Sequence, residues 1–140
     1  MTRPPEEPAR TPARTPRIRA PLSQLEVQVS YRFGAPLIYV EGELDHESAG
    51  RLRASIDEEL ADRPKALLLD FSRLAYMDSG GLSLLFETAR RFEDGGRLAI
   101  VNPSANVRRL IELTGLSERP GVHLVKDLGE VATILVEQSS

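Results

Sequence analysis

An α/β domain, with a hairpin followed by parallel crossover units, is the fold class this sequence predicts. Three observations predict it. Residues 25–32 alternate apolar and polar, the two-residue period of a half-buried strand. Ala66-Leu67-Leu68-Leu69 and Leu98-Ala99-Ile100-Val101 are continuous apolar runs, as strands covered on both faces require. Stripes of helical period separate these runs, so strands and helices alternate along the chain.

The elements follow in order. Leu25, Val27, Val29 and Tyr31 face one way, and Glu26, Gln28, Ser30 and Arg32 the other. Gly34-Ala35-Pro36 signals a turn, and residues 37–40 form a second strand. So short a link makes the pair antiparallel. After Glu41-Gly42-Glu43-Leu44-Asp45, the apolar positions Ala49, Leu52, Ile56 and Leu60 stripe a first helix, which Asp62-Arg63-Pro64 ends. Residues 66–69 are a central strand, and residues 74–77 a separate short extended approach to Asp78. Leu82, Leu85, Phe86, Ala89 and Phe92 mark a second helix, stopped by Gly95-Gly96. Residues 98–101 form the next strand, and Asn102-Pro103 a loop. Val107, Leu110 and Ile111 stripe a third helix that closes near Gly115. Residues 122–125 suit a short edge strand, and Leu128, Val131 and Leu135 stripe a final helix.

The length of 140 residues suits one domain with a single core. There is no cysteine, which excludes disulfides and thiolate sites. The two histidines, His46 and His123, are far apart, which argues against a multi-histidine metal site. No apolar run approaches the roughly 20 residues of a membrane span, and the first residues lack the apolar core expected of a secretory signal. A cytoplasmic protein without membrane contact is the expectation. The net charge of −3 is uneven. Arg3, Arg10, Arg14, Arg17 and Arg19 stand against Glu6 and Glu7, so residues 1–24 carry +3 and residues 25–140 carry −6. An acidic domain without a basic stripe argues against direct nucleic-acid binding. Residues 1–24 also hold six of the ten prolines and the repeat Ala-Arg-Thr-Pro. They read as a disordered or polyproline-like tail, with the folded domain over 25–140. Thr11 and Thr15 are candidate Thr-Pro modification sites within it.

Parallel strands bring their carboxyl ends to one edge of a sheet, where sites in open α/β folds form. That edge should gather Asp45, the Asp78-Ser79 segment and Asn102. Tyr76-Met77-Asp78-Ser79-Gly80-Gly81-Leu82 is its most informative stretch, because it places one hydroxyl where a strand hands over to a helix. As a nucleophile, Ser79 lacks the Gly-x-Ser-x-Gly elbow and a histidine base with a clear route to it. As a phosphate cradle, the segment lacks the lysine of a phosphate loop, and Gly-x-Gly-x-x-Gly is missing too. Its plain structural reading is a helix N-cap. For Asp45 that reading is a turn or capping residue, for Asp78 a carboxylate at a helix N-terminus, and for Gly80 and Gly81 close packing of helix on sheet.

Two motifs resemble the anti-sigma factor antagonist family, whose fold is the STAS domain. Gly42-Glu43-Leu44-Asp45-His46-Glu47-Ser48-Ala49 is similar to that family's entry into its first helix. Leu69-Asp70-Phe71 through Tyr76-Met77-Asp78-Ser79-Gly80-Gly81-Leu82 is similar to its strand, loop and phosphorylation segment. Residues 104–116, with Thr114-Gly115-Leu116, resemble its third helix and exit. The resemblance covers residues 25–137. It implies a mixed sheet of four to five strands, an N-terminal hairpin and about four helices. It also implies a non-enzymatic partner switch. The unphosphorylated protein binds an anti-sigma factor with serine kinase activity, and a sigma factor is released. The kinase phosphorylates the serine matching Ser79, and a serine phosphatase resets the system. ATP and magnesium belong to the kinase, and the chain itself needs no cofactor. Asp45 matches the acidic residue beside the phosphorylated serine. With Asp78 it sets the charge around Ser79, where the free N–H groups of the first helical turn are expected to accept a phosphate. Gly80, Gly81, Leu82 and the exposed face of residues 82–92 are the expected docking surface. The family usually has serine or threonine where Gly80 stands. A monomer or weak dimer is expected. A scaffold subunit of a sensory complex, and a module binding a small ligand or lipid at the same edge, are the alternative readings.

Overall fold

The computed structural model describes residues 25–139. The order is β1 (Leu25–Arg32), β2 (Ala35–Leu44), α1 (Ala49–Leu60), β3 (Ala66–Met77), α2 (Ser79–Arg90), β4 (Arg97–Val101), α3 (Ala105–Leu113), a 3-10 turn (Leu116–Glu118), β5 (Val122–Val125) and α4 (Leu128–Ser139). The strands form one sheet in the order β1-β2-β3-β4-β5. β1 runs antiparallel to β2, and every later pairing is parallel.

The continuous apolar runs serve both faces, as their lack of alternation implied. Leu67, Leu69, Leu98 and Ile100 join one buried cluster with Leu52 and Ile56 of α1, Leu84 and Leu85 of α2, and Ile111 of α3. Leu68, Ala99 and Val101 point to the other face, where Val131 of α4 closes a second cluster. Each fully buried leucine or isoleucine contributes about 1.5–3 kcal/mol of transfer free energy.

Three expected boundaries moved. Residues 66–69 and 74–77 are not two segments: β3 is one strand of 12 residues. Its register against β2 slips between Tyr39 and Glu41 and again between Gly42 and Glu43. These bulges place extra residues in β3, so Phe71, Leu74 and Met77 are all buried in one cluster although three positions apart. Asp70 holds the first irregularity by accepting from the Ser72 N–H at 3.0 Å and hydroxyl at 2.7 Å. The second strand likewise runs past residues 37–40, to Leu44. The second helix starts three residues before Leu82 and ends at Arg90, leaving Phe92 buried in the following turn. Gly95 and Gly96, both at positive φ, shape that turn rather than the helix end.

Candidate functional site

β2 and β3 leave the sheet side by side. Leu44 pairs with Met77, and the Asp78 N–H extends the ladder one step to the Leu44 carbonyl at 3.1 Å. The two connections that follow, residues 45–48 and the start of α2, are therefore neighbours.

Asp45 closes its own turn. Its Oδ1 accepts from the N–H groups of Ser48 at 2.9 Å and Glu47 at 3.1 Å. Ser48 is buried, and its Oγ accepts from the Asp45 N–H at 2.9 Å. That hydroxyl lies 2.9 Å from both the Glu43 carbonyl and Asp45 Oδ1, and donates to one of them at a time. The Ser48 N–H and hydroxyl, followed by the Glu47 N–H, hold the Asp45 carboxyl below the usual carboxylate range. A carboxylate with a depressed native pKa adds stability above its unfolded pKa of about 4, and loses it as pH falls through the native value. Asp45→Asn should therefore flatten the acid limb of stability below about pH 4. Melting temperatures of both proteins across that range check it.

Asp78 is the N-cap of α2. Its backbone is extended, and its Oδ1 accepts from the Gly80 N–H at 2.8 Å and the Gly81 N–H at 3.3 Å. Oδ2 accepts from the His46 N–H at 3.3 Å. One carboxylate thus ties the helix start to the neighbouring turn. Asp78→Ala should cost about 0.5–2 kcal/mol through loss of the cap. It should also speed amide exchange at His46, Gly80 and Gly81. Asp78→Asn keeps an acceptor and should restore most of the stability, which thermal melts will show.

Ser79 is the first residue of α2 and is exposed. It is not the cap, because Asp78 takes that role. Nor are the N–H groups of Gly80 and Gly81 free to receive a phosphate, since the Asp78 carboxylate occupies them. No hydrogen bond of the Ser79 hydroxyl occurs among the described residues.

The glycines have separate reasons. A Cβ on Gly80 would stand 2.7 Å from the His46 Cα, so the absent side chain admits the 45–48 turn. A Cβ on Gly81 would stand 2.7 Å from Leu44 Cγ, 2.8 Å from Met77 Cγ and 2.9 Å from the Leu44 carbonyl oxygen. Gly81 is buried and belongs to the packing beneath the helix, not to a docking surface. Leu82 and Phe86 are half-buried against the core, while Ser79, Ser83 and Arg90 are exposed on α2.

The edge is staggered. Asp70 pairs with Val101, so β4 ends while β3 continues to Met77. Asn102 is level with the residue after Asp70, about 20 Å of strand short of Ser79, and does not join the site. His46, which offered no clear route to Ser79 as a base, joins the site through its backbone N–H. The signal for that contact was the pair Leu44-Asp45 and Met77-Asp78 at equivalent strand ends. A cleft of about 840 Å³, lined by Phe33, Ala35, Pro64, Ala66 and Phe92 among others, opens at the beginnings of β2 and β3. It lies at the opposite end of the sheet from Ser79. No described helix is long and apolar enough to cross a membrane.

The sequence of residues 24–131 matches the STAS domain family model. The chain is similar to the anti-sigma-F factor antagonist RsfB of Mycobacterium tuberculosis, 31% identical over 94 residues, 67% of this chain and 77% of the relative. Its fold is similar to the crystal structure of an anti-sigma factor antagonist from Mycobacterium paratuberculosis. The TM-score is 0.67 at 30% identity, covering 76% of this chain and 90% of that one. It is also similar to the Bacillus cell fate determinant SpoIIAA in its phosphorylated form, with TM-score 0.61 at 25% identity, covering 78% of this chain and 99% of that one. The five-stranded mixed sheet, the helix that starts at Ser79 and a family match over most of the length agree: this chain belongs to the STAS domain family.

Proposed function

We propose that this protein is an anti-sigma factor antagonist, a regulatory protein that captures an anti-sigma factor while Ser79 is unmodified and releases it when Ser79 is phosphorylated. The observation that carries the reading is the setting of Ser79. Its hydroxyl is exposed at the first turn of α2, and a neighbouring aspartate already performs the capping. The serine is therefore available for chemistry at no cost to the helix. The relatives named as anti-sigma factor antagonists, SpoIIAA among them, and the phosphorylated form of SpoIIAA support the role.

In the transfer, Ser79 Oγ attacks the γ-phosphorus of ATP on the anti-sigma kinase, gives its proton to a base of the kinase and displaces ADP. The product adds about −1.5 to −2 charges beside the Asp78 carboxylate. The occupied N–H groups leave this charge facing outward, where it opposes a docked partner. A serine phosphatase hydrolyses the phosphoserine with water, restoring the hydroxyl and releasing inorganic phosphate, and the protein works in the cytoplasm beside its partners. Incubation with candidate anti-sigma kinases, ATP and magnesium, followed by mapping of the phosphate, tests the reading. Phosphate on Ser79 that disappears in Ser79→Ala is expected. Its absence with every such kinase and in cell extracts would overturn it.

A further inference from the structure

Residues 1–24 lie outside the described residues, but the point where they join the fold is described. β1 is antiparallel, so its first residue stands at the carboxyl end of the sheet. Leu25 pairs with Gly42, two residues before Leu44, and Leu44 pairs with Met77, two residues before Ser79. The path from Leu25 to Ser79 is two strand spacings and a few residues, about 20 Å.

Carboxylates outnumber cations at that edge, although Arg51 donates to the Leu25 carbonyl at 2.8 Å. Glu26 stands directly opposite Glu41 in the hairpin, a like-charge pair that a sheet ordinarily avoids. Arg73 lies across from Glu41 on the β3 side. Glu26, Glu43 and Glu47 are exposed and make no ion pair among the described residues. The segment that enters here carries Arg10, Arg14, Arg17 and Arg19. Arg19 is six residues from Leu25. Six extended residues reach about 20 Å, enough to span from Leu25 to Ser79.

We propose that residues 1–24 are a cis-acting ligand of the sheet edge that carries Ser79, their arginines pairing with Glu26, Glu43 and Glu47. Guanidinium groups also bind phosphate bidentately, so phospho-Ser79 holds the segment more tightly. This second limb rests on the Ser79 reading above. Covalent attachment through so few residues supplies an effective concentration in the millimolar range, so a contact of millimolar intrinsic affinity is about half-populated. The segment then competes with a partner for the same edge.

The chain has no cysteine, so Thr15→Cys accepts a single nitroxide in the full-length protein. The expected result is strong loss of amide signal intensity at residues 43–48 and 79–83, relative to the reduced label, because a nearby nitroxide broadens amides steeply with proximity even at partial occupancy. Residues 33–35 and 65–66, at the opposite end, should keep theirs. Arg→Gln at positions 10, 14, 17 and 19 should remove the effect. So should about 1 M salt, where the screening length is about 3 Å. Equal broadening at both ends, or broadening that survives the arginine changes, would overturn the proposal. Broadening only when isotope-labelled chains are mixed with spin-labelled ones would overturn it too, by assigning the contact to a second copy. Protein made with phosphoserine at position 79 should broaden more, and equal broadening would overturn the phosphate limb. Failure of kinases to modify Ser79 would instead remove the switch reading, and the measurement on unmodified protein would stand.

Discussion

Phosphorylation of Ser79 is expected to weaken capture of the anti-sigma factor by a hundredfold or more while the fold survives. Like charges brought together at an interface cost several kcal/mol, and about 1.4 kcal/mol is a factor of ten. The fold is spared because the modified hydroxyl has no structural duty among the described residues. The cap belongs to Asp78, and the core beneath α2 is made by Leu84, Leu85 and Ala89. The added charge meets the favourable helix dipole and the unfavourable Asp78 carboxylate together, each worth at most about 1 kcal/mol at an exposed site. Calorimetric titration of phosphorylated and unmodified protein with the cognate anti-sigma factor, beside thermal melts of both, checks the pair of expectations. Unchanged binding would refute the switch. A large fall in melting temperature would show that Ser79 is structural after all.

Gly81→Ala is expected to be the most costly change at the site for stability, at about 1–3 kcal/mol of overpacking. In a domain of about 100 residues each kcal/mol lowers the melting temperature by roughly 4–8 °C. The added methyl would meet the Leu44 carbonyl oxygen, which the Asp78 N–H already engages, and two buried side chains at the ends of β2 and β3. None of these can retreat without loosening the sheet. Gly80→Ala is the useful contrast. Its methyl would meet the His46 backbone, which lies in an exposed turn. That turn can shift, so the stability cost should be smaller. The shift should instead break the Asp78–His46 hydrogen bond and show as faster exchange of the His46 amide. Thermal melts rank the two variants, and amide exchange locates the damage. A Gly80→Ala cost equal to that of Gly81→Ala would mean that the turn is as rigid as the strand ends.

Much of this was legible from residue order. The two-sided strands declared themselves through unbroken apolar runs, and α1 through Ala49, Leu52, Ile56 and Leu60, all four buried. The strand-to-helix junction was legible from Asp78-Ser79-Gly80-Gly81. The unity of β3 was not. Its bulges convert a two-residue period into a three-residue one over Phe71, Leu74 and Met77, which reads as a break when only alternation is counted. The capping residue was misread by one position, because aspartate and serine are both good caps and only the backbone angles tell them apart.

Residue order alone determined the α/β class, the element order and the strand-to-helix junction that carries Ser79. Local patterning suffices there, because burial demands a period and each element imposes its own. The tertiary structure alone decided which neighbour reaches Asp78 and why two adjacent glycines serve different ends. It also decided that Asn102 is left behind, and that β1 begins at the end of the sheet where β3 hands over to Ser79. These depend on how far each strand runs against its partner. Strand register is a relation between residues distant in sequence, and no local pattern along the chain encodes it.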